Sequence, residues 1–175
     1  MTRAVLSLGS NLGDRAAQVR GAVDALGPWL VAVSTVWETA PWGGVEQDDF
    51  LNLVAVVDDP GAGPADWLER GQRCERDADR ARGAGEVRWG PRTLDVDVLS
   101  VLDADGEVSS DDPTLTLPHP RLAQRAFVLV PWAALDPDAR TGGARVAELR
   151  DALPAAERDG VRAVSYTHLT LPTKA

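Results

Sequence analysis

The chain has 175 residues, 44% of them apolar, and a net charge of −9 at neutral pH. The length predicts one domain with its own core, and no apolar run reaches the roughly 18 residues of a membrane span. The acidity argues against a nucleic-acid surface, which presents a basic stripe, and a single cysteine, Cys74, excludes a disulfide framework or a cysteine zinc site.

In chain order, Ala4-Val5-Leu6-Ser7-Leu8 reads as a short buried strand ending at Gly9. Asp14 to Leu26 reads as a helix, with Ala16, Val19, Val23 and Leu26 on one face and Gly27 as its stop. Val31 to Thr39 is rich in β-branched residues and predicts a strand. Ala40 to Asp49 is a loop, marked by Pro41 and Gly43-Gly44. Phe50 to Val57 is a strand. Pro64 opens a second helix that runs to about Asp79. A glycine-containing loop over Ala81 to Glu86 leads to a strong strand, Thr93 to Leu102. Gly106 and Asp111-Asp112-Pro113 mark turns. Arg121 to Leu135 and Val146 to Leu153 read as helices. The order β-α-β-β-α-β, followed by C-terminal additions, predicts an α+β, ferredoxin-like sandwich: a four-stranded antiparallel sheet with helices on one face.

The last twelve residues break the pattern. Val164 to Ala175 hold the only tyrosine (Tyr166), the only lysine (Lys174) and His168, one of two histidines. The string resembles a translated sequencing adapter, so the domain is expected over 1–163 and the segment 164–175 is set apart as a non-native tail. Without a lysine before position 174, chemistries that depend on one are excluded, including the P-loop and the Schiff base. Phosphate binding then falls to arginine, backbone N–H groups or metal.

Arg88-Trp89-Gly90-Pro91-Arg92-Thr93-Leu94-Asp95-Val96-Asp97 carries the strongest chemical signal. Residues two apart on a strand share a face, about 6.5 Å apart along it. Asp95 and Asp97 therefore begin a face that Leu99 and Val101 continue as apolar. A divalent cation would relieve both their repulsion and their lost hydration. A solvent-exposed edge or an Asp–Arg surface pair is the plain alternative. Arg80, Arg82, Arg88 and Arg92 precede the pair, and guanidinium forks suit phosphate oxygens. His119, between Pro118 and Pro120, is set in a stiff loop that could present it to a phosphate. Phe50 and Phe127 are the only phenylalanines, and Asn52 shares a face with Phe50. A ring with an amide beside it suits a flat heterocycle.

With these residues in view, the sequence resembles the 6-hydroxymethyl-7,8-dihydropterin pyrophosphokinase family. The resemblance rests on Leu8-Gly9-Ser10-Asn11-Leu12-Gly13, Glu38-Thr39-Ala40-Pro41, Phe50-Leu51-Asn52, Arg88 to Asp97, Leu117-Pro118-His119 and Arg125-Ala126-Phe127. It implies transfer of diphosphate from ATP to the pterin hydroxymethyl group, in the folate pathway. It implies that Asp95 and Asp97 hold two magnesium ions and act with Arg80 and Arg92 in catalysis. Gln72, Glu75, Arg92, His119 and Arg125 would bind ATP. Thr39, Trp42, Phe50, Asn52 and Phe127 would bind the pterin. The stretch between Arg80 and Arg88 is longer than usual in the family, which leaves the role of Arg82 open. A cytoplasmic monomer with no nucleic-acid or membrane partner is expected. A non-catalytic ligand-binding module and an RNA-binding ferredoxin-like domain are the competing readings; the paired aspartates count against the first and the acidity against the second.

Overall fold

The first strand shows how the sheet must be covered. In the computed structural model, which describes residues 2–41, 46–79 and 93–164, β1 (Thr2–Ser10) is buried along nearly its whole length. Ala4, Leu6 and Leu8 enter one apolar cluster and Val5 another. Since successive side chains alternate, such a strand needs a layer on each face.

One layer comes from helix α1 (Arg15–Leu26), which begins where the Asp14 side chain accepts the Ala17 N–H at 3.0 Å. It buries Val19, Ala22, Val23 and Leu26. A short 3-10 turn, Gly27–Trp29, leads to β2 (Leu30–Val33) and β3 (Trp37–Thr39). A single strand over 31–39 was expected, and it is broken at Ser34. There the Ser34 hydroxyl accepts the Val54 N–H at 3.0 Å, while the Ser34 N–H donates to the Val54 carbonyl. A side chain has taken one place in the ladder, and the two pieces pair in succession with β4 (Phe50–Asp59).

Helix α2 (Pro64–Asp79) completes that layer. It lies so close to β5 (Asp95–Asp103) that a Cβ on Gly71 would stand 3.0 Å from Val96 Cγ1. Glycine permits this approach. The expected loop over 81–86 lies outside the described residues.

After β5 come β6 (Gly106–Glu107), the hairpin β7 (Ser110–Asp112) and β8 (Leu115–Leu117), and a 3-10 turn at Leu122–Gln124. Helix α3 (Ala126–Leu135) starts later than the expected Arg121 and passes through Pro131 without ending. Strands β9 (Arg140–Thr141) and β10 (Ala144–Arg145), helices α4 (Val146–Asp151) and α5 (Ala155–Asp159), and β11 (Arg162–Ala163) finish the chain.

The main sheet runs β11-β3-β4-β1-β5-β6, with β2 also on β4, and its pairings are antiparallel. It has seven strands rather than four. Nor are the helices confined to one face. α1 and α2 cover Leu6, Leu8, Leu53 and Val57, whereas residues of α3 and α4 pack with Val5, Val54 and Leu99 on the other side. Val164, set apart with the tail, donates its N–H to the Val36 carbonyl at 2.9 Å and packs against the core.

Candidate functional site

Strand register puts the predicted residues in rows. Gly9 faces Asp95 on one neighbour and Asn52 on the other, and Asn52 faces Trp37. Asp97 faces Ser7, which faces Val54. Residues directly opposite share a face, and Val54 belongs to the α3 side. By the two-residue period, Asp95, Asp97, Asn52, Phe50 and Thr39 therefore share the α3 face.

Asp95 and Asp97 are partly buried. The expected continuation of their face holds at Leu99 and fails at Val101. Leu6 pairs with Val98 and Val5 with Ser100, so Leu99 is an extra residue, a bulge. It packs with α3 while Val101 packs with α1 and α2. The Leu99 carbonyl accepts the His119 N–H at 2.8 Å. That bond hangs the 117–119 segment beside the aspartates. The Leu117–Pro118 peptide is cis.

Arg125, between the 3-10 turn and α3, reaches Asp97: its Nη1 lies 2.6 Å from Oδ2, and its side chain is only 9% exposed. So short a contact is a charge-assisted hydrogen bond; an Asp–Arg pair is present, but with a buried arginine rather than at the surface as the plain alternative had it. His119 Nε2 lies 4.0 Å from the same oxygen, beyond hydrogen-bond reach. Burial holds the His119 imidazole below the usual histidine range; Asp97 opposes that shift, and Arg125 and Arg121 add to it. The ring is thus neutral at pH 7. Its Nδ1 accepts the Arg121 N–H at 3.2 Å, which assigns the proton to Nε2, on the Asp97 side. The Arg125 guanidinium also stands 5.5 Å from the centre of the Phe127 ring.

Across the row, Asn52 is 3% exposed and donates Nδ2–H to Thr39 Oγ1 at 2.7 Å. Its Oδ1 lies over Gly9, where a Cβ would come within 2.6 Å of it. Glycine at position 9 is therefore a space requirement. Phe50 and Phe127 are both half-buried.

Helix α2 covers the opposite face, so its two predicted residues stand apart from the aspartates' side. Gln72 is exposed. Glu75 accepts the Val96 N–H at 2.8 Å and so holds β5 between Asp95 and Asp97. Cys74 is buried, and that burial pushes its thiol up. Trp42, Arg80, Arg82, Arg88 and Arg92 lie outside the described residues.

Polar residues to which the sequence assigns no role gather beside Phe50. Asn11 donates Nδ2–H to Gln47 Oε1 at 2.8 Å and to the Asp48 carbonyl at 3.0 Å. Arg15 reaches Glu38 and the Asp49 carbonyl. A polar Asn11 next to an apolar strand was the available signal; nothing local marked Arg15.

The sequence matches, over residues 5–137, the family described as 7,8-dihydro-6-hydroxymethylpterin-pyrophosphokinase. The chain belongs to this family. It is a pyrophosphokinase of folate biosynthesis, transferring diphosphate from ATP to hydroxymethyldihydropterin. A Mycobacterium tuberculosis relative named 2-amino-4-hydroxy-6-hydroxymethyldihydropteridine pyrophosphokinase is 51% identical, across 93% of this chain and 89% of its own. Relatives of the same name from Methylorubrum extorquens (44% identical; 94% of this chain, 99% of its own) and Pseudomonas aeruginosa (40%; 87% and 92%) also match. Wild-type Plasmodium falciparum HPPK-DHPS shares the fold, with a TM-score of 0.61 at 14% identity. That match covers 86% of this chain and 44% of the Plasmodium one.

Proposed function

We propose that this pyrophosphokinase works at the end of the α3 face, with the pterin on the Asn52 side of the row and ATP along β5. The observation that carries the reading is the row itself: Asp95, Gly9 and Asn52 side by side on adjacent strands. It sets in one line a carboxylate, a glycine whose side-chain space the neighbouring amide oxygen fills, and that buried amide. Asn52 and Thr39, already bonded to each other, read the edge of the heterocycle, together with backbone around Thr39 and Trp42. Phe50 and Phe127 stack on its faces.

Among the described residues, no three His, Cys, Asp or Glu side chains converge to hold an ion. Two carboxylates nevertheless suit an ion that takes its other ligands from phosphate and water, as magnesium does. Asp95 and Asp97 would hold two such ions, which when bound neutralise phosphate charge. The rest falls to the protein. Arg125, once released from Asp97, is placed for a phosphate oxygen, and so is the Nε2–H of His119. Arg80 and Arg92 supply further forks. Gln72, on the opposite face, is given to the nucleotide by the family resemblance alone, and Glu75 serves the site by fixing β5. The pterin hydroxyl oxygen attacks the β-phosphorus in line, its bond to the oxygen bridging the α-phosphate breaks, and AMP leaves. Positioning and charge stabilisation supply the acceleration.

The four-stranded ferredoxin-like core is read here as β5, β1, β4 and the β2–β3 edge, split at Ser34 and extended by β6 and β11. A cytoplasmic monomer is our reading; among the described residues no helix is long and apolar enough to cross a membrane. The test is incubation of the full chain with ATP, magnesium and 6-hydroxymethyl-7,8-dihydropterin. AMP and the pterin diphosphate should form one for one. ADP in place of AMP, or no turnover, would overturn the reading.

A further inference from the structure

Arg15 stands at an unfavourable place for its own helix. It is the first residue of α1, whose first turn contains no acidic side chain. A cation there opposes the helix dipole, which favours negative charge at the N-terminus. The helix is already capped by Asp14, so local stability does not account for an arginine.

Its contacts do. Nη1 of Arg15 donates to Glu38 Oε2 at 3.1 Å and to the Asp49 carbonyl at 2.8 Å. The side chains of Arg15 and Glu38 are 27% and 28% exposed, so water screens this pair only in part. Glu38 and Asp49 are far apart in sequence yet adjacent in space. Each precedes one member of Thr39–Phe50, a rung of the β3–β4 pairing. One guanidinium nitrogen thus pins the chain on both sides of that rung. Arg162 of β11 reaches the same two residues from elsewhere, at 3.4 Å to Glu38 Oε1 and 3.3 Å to Asp49 Oδ2. It is 62% exposed, and contacts so wet contribute little. Arg15 is the stronger of the two clips.

The residues held in this way lead directly to those that meet the pterin. Thr39 Oγ1 takes the Asn52 amide, and Asn52 is two residues beyond Phe50 on β4. Displacing reading groups by about an ångström can cost on the order of a hundredfold in a reaction that depends on positioning. We infer that Arg15 is a positioning residue for the pterin side of the site: by holding Glu38 and the Asp49 carbonyl together it sets Thr39, Phe50 and Asn52 before the pterin arrives. The inference rests on the site reading above.

The test compares Arg15→Ala, Arg15→Lys and Asn52→Ala with the full wild-type chain. Pterin binding is measured by fluorescence with a non-hydrolysable ATP analogue present, and analogue binding alone by calorimetry. Arg15→Ala should weaken pterin binding about tenfold and leave analogue binding within about twofold. Arg15→Lys, whose ammonium stops short of the Nη1 position, should fall between the two and reports in place of Arg15→Ala if that variant does not fold. A merely structural arginine would lower the melting temperature and weaken both ligands alike, which would overturn the inference. Wild-type pterin affinity in Arg15→Ala, with Asn52→Ala impaired, would also overturn it and leave the site reading standing. If Asn52→Ala also binds pterin as the wild type does, the site reading falls, and the inference with it.

Discussion

Asp97 solves a problem of buried charge before any ligand binds. Its Oδ2 is 2.6 Å from Arg125 Nη1, and the arginine side chain is nearly enclosed. Two carboxylates on a partly buried face needed a counter-charge, and a cation was expected in that place. The structure shows that the protein carries one of its own, from a segment 28 residues further along. On the proposed reading Asp97 has a second task at the phosphates, and substitution should separate the two. Asp97→Ala should lower turnover by about a hundredfold or more and destabilise the chain by about 1–3 kcal/mol, because buried Arg125 loses this partner. Asp97→Asn keeps an acceptor oxygen and should recover most of the stability without the turnover. Urea unfolding and an AMP-release assay measure the two effects, and near wild-type turnover in either variant would remove Asp97 from the chemistry. Gly9 makes a related point. Its motif was visible in the sequence, but its reason, an amide oxygen where a Cβ would be, belongs to a neighbouring strand.

At the level of the element, β5 carries the two aspartates of the proposed site and is positioned from three directions. β1 pairs with it, the Leu99 bulge turns its face and anchors His119, and α2 reaches it through Glu75. The bulge explains why alternation foretold Leu99 correctly and Val101 wrongly: one inserted residue reverses the parity of all that follow. Glu75 was assigned to the nucleotide side by the family resemblance. Its bond to the Val96 N–H makes it first a clamp on the strand between the aspartates. Glu75→Ala should cost about 1–3 kcal/mol by leaving that N–H without its acceptor. Glu75→Gln still offers an oxygen and should retain stability and turnover. Thermal melts and steady-state rates check this. A glutamine variant that melts normally but no longer turns over would give Glu75 a direct role at the nucleotide.

For the whole molecule, the C-terminal strand ties the described end of the chain into the main sheet. β11 pairs with β3, Val161 is buried, and Val164 bonds to Val36. Val164, which composition set apart with the tail, therefore packs with the residues before it. If residues 165–175 are the non-native tail that the composition suggests, a chain ending at Val164 should melt within about 1–2 °C of the full chain and keep its turnover. A chain ending at Gly160 loses two packed valines and the Arg162 contacts, and should melt roughly 5 °C or more below it. A large drop for the chain ending at Val164 would show that residues 165–175 pack as part of the fold.

By itself the sequence determined the order of the main strands and helices, because periodicity and caps are local. It also determined the family, whose motifs hold Asp95, Asp97, His119, Asn52 and Arg125 and so named the candidates for the proposed site. The rest was decided by contacts between distant segments. The break at Ser34 exists because its hydroxyl meets Val54 across the sheet. The covering of both faces follows from the parity of Val5, Val54 and Leu99, which becomes visible only once α3 is packed on them. The pairing of Arg125 with Asp97 and the clip of Arg15 on Glu38 and Asp49 each join residues more than twenty positions apart. No local pattern encodes such pairs, since each partner is an ordinary surface charge until the fold brings the two together.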